Sequence, residues 1–402
     1  MTPVSKQQAL TLVCEVRSES QRALRAELSL LASALEEAFR SLPSLHFARF
    51  VVIPARAASE ELVLELGFEG ALEPLLVALW AIAGGYLIRV FRYCHSTELP
   101  ADGRSFSRFC ARHARRADAA FAAHDGLSVA VIHNDVALDR LLQAELDRAV
   151  EAEAVAEHGP LEIATTLQSR ARANHGTWLG SVGREQQRRD PLAPVRGRLA
   201  EVLLSLLVLP LLAFGQALSG LFRRTRVPVG EGADSLLLRE QGPCAQLLRL
   251  KPGRSRLRVV RLLLWLIHGW VGQRASGLGP ALSHVHSARW LILEGSRLLF
   301  LAHTDLGPGA LLPRRSAWER RLSALIWLQA EGFPSGLRAV LGGDRREAAL
   351  REWLRRSLLP TAFWYTAYPG LSVSEIERNH RVRELLGRNI DRERALELCA
   401  LL

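Results

Sequence analysis

The sequence predicts an α+β fold in which one strand-and-helix unit is written twice, with a helical, apolar insert between the copies. Three observations predict it. Residues 9–68 switch between strand and helix periodicities in the order strand, helix, strand, strand. The run Leu45-His46-Phe47-Ala48-Arg49-Phe50-Val51-Val52-Ile53 returns as Val285-His286-Ser287-Ala288-Arg289-Trp290-Leu291-Ile292-Leu293, and Gly126-Leu127-Ser128-Val129 returns as Gly370-Leu371-Ser372-Val373. Between the copies, residues 202–222 carry no charge.

Taken in order, residues 9–17 alternate Leu10, Leu12, Cys14 and Val16 with other side chains, the pattern of a strand buried on one face. Residues 21–42 carry Leu24, Leu28, Leu31, Leu35 and Phe39 at helical spacing, and Pro43 stops that helix. Residues 45–54 and 61–68 are strands, and a second helix is expected at 71–83, ended by Gly84-Gly85 read as a turn. Residues 86–93, 105–115 and 119–124 then offer a strand, a helix and a closing strand. Helices crossing an antiparallel sheet in this order make a ferredoxin-like unit. In the second copy, strands are expected at 245–250, 285–293, 297–303 and 361–368, with helices at 257–271, 316–331 and 347–357. The expected organisation is a first ferredoxin-like unit at 1–142, a helical linker at 143–242 and a second ferredoxin-like unit at 243–402.

Segment 202–222, flanked by Arg196, Arg198, Arg223, Arg224 and Arg226, just reaches the roughly 20 apolar residues that span a bilayer core. Pro210, Gly215 and Gly220 weaken it as a continuous helix, so a kinked hairpin in one leaflet, a full span and a buried core helix all stay open. Residues 259–271 add a Leu/Trp helix behind Arg254, Arg256, Arg258 and Arg261, a pattern shared by interfacial helices and core helices. The expected setting is the cytoplasmic face of a bacterial inner membrane, peripheral, monotopic or single-span. A lipid surface is the expected partner, and a protein partner is open.

Lys6 and Lys251 are the only lysines, so arginine supplies nearly all of the 52 basic residues and the net charge of +11. That excess fits either the codon bias of a GC-rich bacterial genome or attraction to an anionic surface. Nucleic acid is not the expected partner, because the arginines are scattered among Leu and Ala without a basic tail or stacking module. Five widely spaced cysteines without a C-x-x-C pair speak against a zinc site and a disulfide framework. No metal site is expected. The first residues hold no long apolar run, so no secretory signal is expected there.

The paired His-x-Ala-Arg-aromatic strands, Lys251-Pro252-Gly253, Gly332-Phe333-Pro334 and the run from Tyr365 to Val373 resemble an uncharacterised bacterial membrane-associated family with tandem ferredoxin-like domains. That family is distantly similar to the dimeric α+β barrel superfamily, which includes the dye-decolourising peroxidases. The resemblance brings no established activity. The chain departs from the family's Asn-containing turn after the third strand, reading Leu66-Gly67-Phe68-Glu69-Gly70 in one copy and His303-Thr304-Asp305-Leu306-Gly307 in the other.

His46, Arg49 and Glu69 in the first copy match His286, Arg289 and Asp305 in the second. An imidazole, a guanidinium and a carboxylate are the parts of a haem-peroxide site, with His46 and His286 as candidate haem ligands. The strand period opposes this, because residues 46 and 49 are three apart and should face opposite sides. The competing expectation is structural, with His46 bonded to a neighbouring loop and Arg49 paired with the carboxylate ending the adjacent strand. His380, on a helix of mixed charge, is expected to be solvated. The functional expectation is a membrane-associated protein binding a partner protein, lipid or apolar ligand. A haem-dependent, peroxidase-like oxidoreductase is the alternative.

Overall fold

The computed structural model describes residues 6–55, 59–95, 99–151, 159–179, 241–274, 284–305, 329–331, 353 and 356–402. In chain order the first half holds β1 (Gln7–Val16), α1 (Gln21–Arg40), β2 (Leu45–Pro54), β3 (Glu60–Glu69), α2 (Leu72–Phe91), α3 (Gly103–His113), β4 (Ala119–Ala122), α4 (Val129–Glu151) and α5 (Pro160–Leu179). The second half holds β5 (Gly242–Arg249), α6 (Arg254–Arg274), β6 (Val285–Leu293), β7 (Arg297–Thr304), β8 (Thr361–Thr366), α7 (Val373–Leu386) and α8 (Arg392–Leu401). The apolar segment 202–222, most of the expected helices at 316–331 and 347–357, and Gly332-Phe333-Pro334 lie outside the described residues.

The chain divides into two compact units, each drawing on both halves of the sequence. The larger takes residues 7–125 and 191–367 and contains every described strand. It is an α+β body of two four-stranded antiparallel sheets, ordered β1-β3-β2-β8 and β5-β7-β6-β4, compatible with two ferredoxin-like units. Alternation fixes what each strand buries. In the first sheet Leu10, Leu12, Cys14, Leu62, Leu64, Leu66, Ala48 and Phe50 pack under Leu24, Leu28, Leu35 and Phe39 of α1 and Leu79 and Leu87 of α2. The opposite face turns Val13, Val51, Ile53 and Val63 onto Ala245, Leu291, Leu293, Leu299 and Leu301 of the second sheet. The first sheet is therefore covered on both sides, and all of β2 but Pro54 is buried.

The closing strands are exchanged. Residues 119–122 do form the expected strand, yet β4 pairs with β6 in the second sheet, Ala120 opposite Arg289. The last strand, β8, crosses the other way and pairs with β2, Ala48 opposite Tyr365. Before each crossing the chain skirts the free edge of the sheet it leaves. Arg115 N donates to Thr11 O on β1, and Leu359 N donates to Ala245 O on β5, each at 2.8 Å. The edges carry neighbouring backbone instead of open hydrogen-bonding groups.

One expected strand is a helix. Residues 86–91 continue α2, and Gly84-Gly85 lies inside it instead of forming a turn. Leu75, Leu79, Ala83, Leu87 and Val90 keep one buried face at helical spacing through the glycines, and that face outweighs the glycine pair's poor propensity. Gly84 has a packing role: a Cβ there would meet the Trp80 ring at 3.0 Å. Among the described residues α2 is also the one helix long and apolar enough to cross a membrane, with a mean hydropathy of 1.8. Its window is 44% buried in this core, so it equally fits a core helix.

The smaller unit is helical. Leu138 and Leu142 of α4, Ala164 and Leu167 of α5, Val382 and Leu386 of α7 and Leu398 of α8 form its core. Buried Asp135 lies 3.2 Å from Arg383 Nε and 3.1 Å from His380 Nδ1. His380 is thus tied to a carboxylate on the facing helix and is not the solvated residue its charged neighbours suggest.

Replacing Gly84 by Leu should destabilise the larger unit by about 1–3 kcal/mol, because the added side chain overpacks against Trp80. Urea unfolding followed by circular dichroism would register this as a lowered midpoint.

Candidate functional site

The six candidate residues all lie on the faces that the two sheets turn to each other. A bulge explains how. The β2–β3 register shifts between Leu45 and Phe47, and the β6–β7 register shifts at the matching place, between Val285 and Ser287. The extra residue breaks the alternation that sets His46 and Arg49 on opposite sides. His46 Nε2 reaches Glu69 at 3.5 Å and Arg49 Nε reaches Glu65 at 2.5 Å. Glu65 and Glu69 are four apart on β3 and share a face, so His46 and Arg49 share it too.

Each histidine sits in a similar frame. Gln7 Nε2 lies 3.1 Å from His46 Nδ1, and Gln241 Nε2 lies 3.3 Å from His286 Nε2. His286 Nε2 is 2.8 Å from Asp305 Oδ1. Both rings are buried, His46 at 1% and His286 at 0% exposure. The expected pairing of Arg49 with the strand-end carboxylate is corrected here: Glu69 takes His46, and Arg49 takes Glu65 in mid-strand.

Glu65 is the centre of the layer. Thr11 on β1 and Arg49 on β2 stand directly opposite it in the sheet register. From the other sheet Arg289 Nε approaches Glu65 Oε1 at 3.1 Å. Arg49 also crosses the gap, its Nη1 donating to Cys244 O at 2.9 Å and Ala302 O at 3.0 Å. Those carbonyls belong to paired residues of β5 and β7, so one side chain fastens two sheets. Burial pulls both guanidinium pKa values below the usual arginine range, opposed by the Glu65 charge. Nearer the strand ends, Arg297 makes a two-pronged bond to Glu61 at 2.9 and 3.0 Å and reaches Pro54 O at 3.0 Å.

His303 on β7 completes the layer. Its ring stacks on Phe47 with centroids 4.3 Å apart and an angle of 21°. Among the described residues neither ring nitrogen has a hydrogen-bond partner, and His303 is 2% exposed. Burial first, then the nearby Arg49, His286 and Arg289, hold its pKa well below 6.5. The ring is neutral at pH 7.

Sequence reasoning missed Glu65, His303, Gln7, Gln241 and the Arg297–Glu61 pair. Glu61, Glu65 and Glu69 recur on one strand face opposite Leu62, Leu64, Leu66 and Phe68, and that period was the available signal. His303 had none, because its meaning depends on Phe47 from the other sheet.

A second feature lies on α6. Val260, Leu263, Leu264, Leu266 and Ile267 are buried, while Arg254, Arg258, Arg261, Leu262 and Trp265 form an exposed face. Leu262 is 44% and Trp265 67% exposed.

No known family, curated protein or solved structure matches the chain.

Glu65→Gln keeps the shape but leaves Arg49 and Arg289 without their counter-charge. A loss of about 3–5 kcal/mol in urea unfolding is expected, against a smaller loss for Glu61→Gln at the more exposed pair. The depressed His303 pKa sets a pH dependence as well. Unfolded chains take up a proton below 6.5 while the folded ring resists it, so stability falls as pH drops below 6.5. His303→Phe should flatten that slope in thermal melts between pH 7 and pH 5, whatever its own effect on the melting temperature.

Proposed function

We propose that the protein is membrane-associated and binds an anionic lipid surface through the outer face of α6. The observation that carries this reading is the exposed combination of Arg254, Arg258 and Arg261 with Leu262 and Trp265 on one helical face. Arginines attract anionic headgroups over a Debye length, and a Leu and a Trp one turn on can enter the headgroup boundary. The buried side of α6 packs on β4, so the outer side is presented on a folded support. Charge-free segment 202–222, with Arg196 and Arg198 before it and Arg223, Arg224 and Arg226 after it, favours the same setting. In this reading the chain works at the cytoplasmic face of a bacterial inner membrane and belongs to the membrane-associated family its repeated strands resemble.

The same reading takes the two sheets as the products of an internal duplication. Equivalent bulges beside His46 and His286, equivalent Gln–His–carboxylate groups and reciprocal closing strands support it.

The inter-sheet histidines are structural in this proposal. The residues present do not suit haem ligation. Both rings are buried and held among protein groups, His286 Nε2 against Asp305, and Phe47 lies 5.8 Å from His286 between centroids. A haem iron needs an imidazole nitrogen with an open approach.

Sedimentation with vesicles tests the lipid reading. The full chain should bind phosphatidylglycerol-containing vesicles more tightly than pure phosphatidylcholine, and binding should weaken with salt. The double variant Arg258→Ala/Arg261→Ala should lose roughly 30-fold in partitioning, taking about 1 kcal/mol per basic residue. Equal partitioning onto neutral and anionic vesicles would remove the proposal.

A further inference from the structure

The geometry points to a binding site for a small carboxylate between the two sheets, formed by Arg289, Arg49 and His303. Charge is the first argument. Two guanidiniums, Arg49 and Arg289, share the single carboxylate of Glu65. Among the described residues no other carboxylate acts on either of them, and none acts on His303. The group of Arg49, Arg289 and Glu65 therefore carries one more positive than negative charge in a region that strongly disfavours bare ions.

Unused donors are the second argument. Arg49 Nη2, both ring nitrogens of His303 and Thr11 Oγ1 are buried without a hydrogen-bond partner. Thr11 and Arg49 flank Glu65 on neighbouring strands. Buried polar groups are nearly always bonded, and a cluster of unbonded ones marks a missing partner. Neutral His303 has one N–H to give, Arg49 offers Nη2, and a guanidinium such as that of Arg289 has the fork geometry that fits a carboxylate.

Access is the third argument. Desolvation dominates the titration of Arg289, yet 13% of its side chain can still be reached by solvent. That exposed part of Arg289 is where a solute would approach the group. Ser287, beside the β6 bulge and opposite His303 in the register, is likewise only half-buried. A monoanion there balances the Arg49–Arg289–Glu65 group, whereas a dianion over-compensates it. The apolar ring of Phe47, stacked on His303, favours a carboxylate with an apolar body over a bare inorganic ion.

The test uses the full chain with acetate and benzoate as probes, against chloride at the same ionic strength. The melting temperature should rise saturably with acetate and more with benzoate, and Arg289→Met should abolish the rise. Arg289→Met could lower stability on its own, so a second measurement uses unaltered protein. The long-range proton–nitrogen NMR signals of the His303 ring, assigned by their loss in His303→Phe, should move along a saturable curve with benzoate. A rise equal to that with chloride, a rise unchanged by Arg289→Met, or stationary His303 signals would each overturn the site. The last outcome would leave ordered water as the partner of those donors.

Discussion

Glu65 sits where two sheets meet, and the arrangement around it answers to one constraint: a charge removed from water must be met by charge. Arg49 meets it from the neighbouring strand and Arg289 from the facing sheet. A purely apolar interface could slide by a residue at small cost, since Leu and Val surfaces fit many registers. A carboxylate pinned by two guanidiniums, one of which also bonds Cys244 O and Ala302 O, accepts one register. Val13, Val51, Val63, Leu299 and Leu301 supply contact area around this point, and the ion layer decides which contacts are made.

The same constraint separates the two proposed roles. The candidate residues with catalytic character are the ones most committed to holding the sheets together. Capacity to spare lies in His303 and Arg49 Nη2 inside, and in the Arg/Leu/Trp face of α6 outside. Attention to the repeated His and Arg therefore finds the right place in the fold, and the proposed carboxylate site uses the two arginines together with His303.

Much of the architecture was legible in the sequence. The strands β1, β2, β3, β6 and β7 and helix α1 follow from period-two and period-3.6 patterns that coincide with burial. Where legibility failed, a non-local term won. Helix α2 runs through Gly84-Gly85 because Leu87 and Val90 find the same core as Leu79, a fact of tertiary packing that outweighs two poor helix formers. The bulges beside Phe47 and Ser287 have no marker in composition, and each reverses the facing of one histidine. Residues 119–122 read correctly as a strand, but no local pattern could state which sheet they join.

The exchanged strands bear on how the protein is made. The first sheet takes its outer strand from Thr361–Thr366, so Phe47 waits on a ribosome for Thr366, more than three hundred residues later. Until then the β2 edge is bare, and so is the Arg49 side chain that needs Cys244 and Ala302. Neither half of the gene encodes a sheet that can finish itself. A truncated product would carry an unfinished edge and a stranded charge, the two marks by which a nascent chain invites aggregation or a chaperone. Translation as far as Thr366 is thus built into the topology as a condition for a finished first sheet.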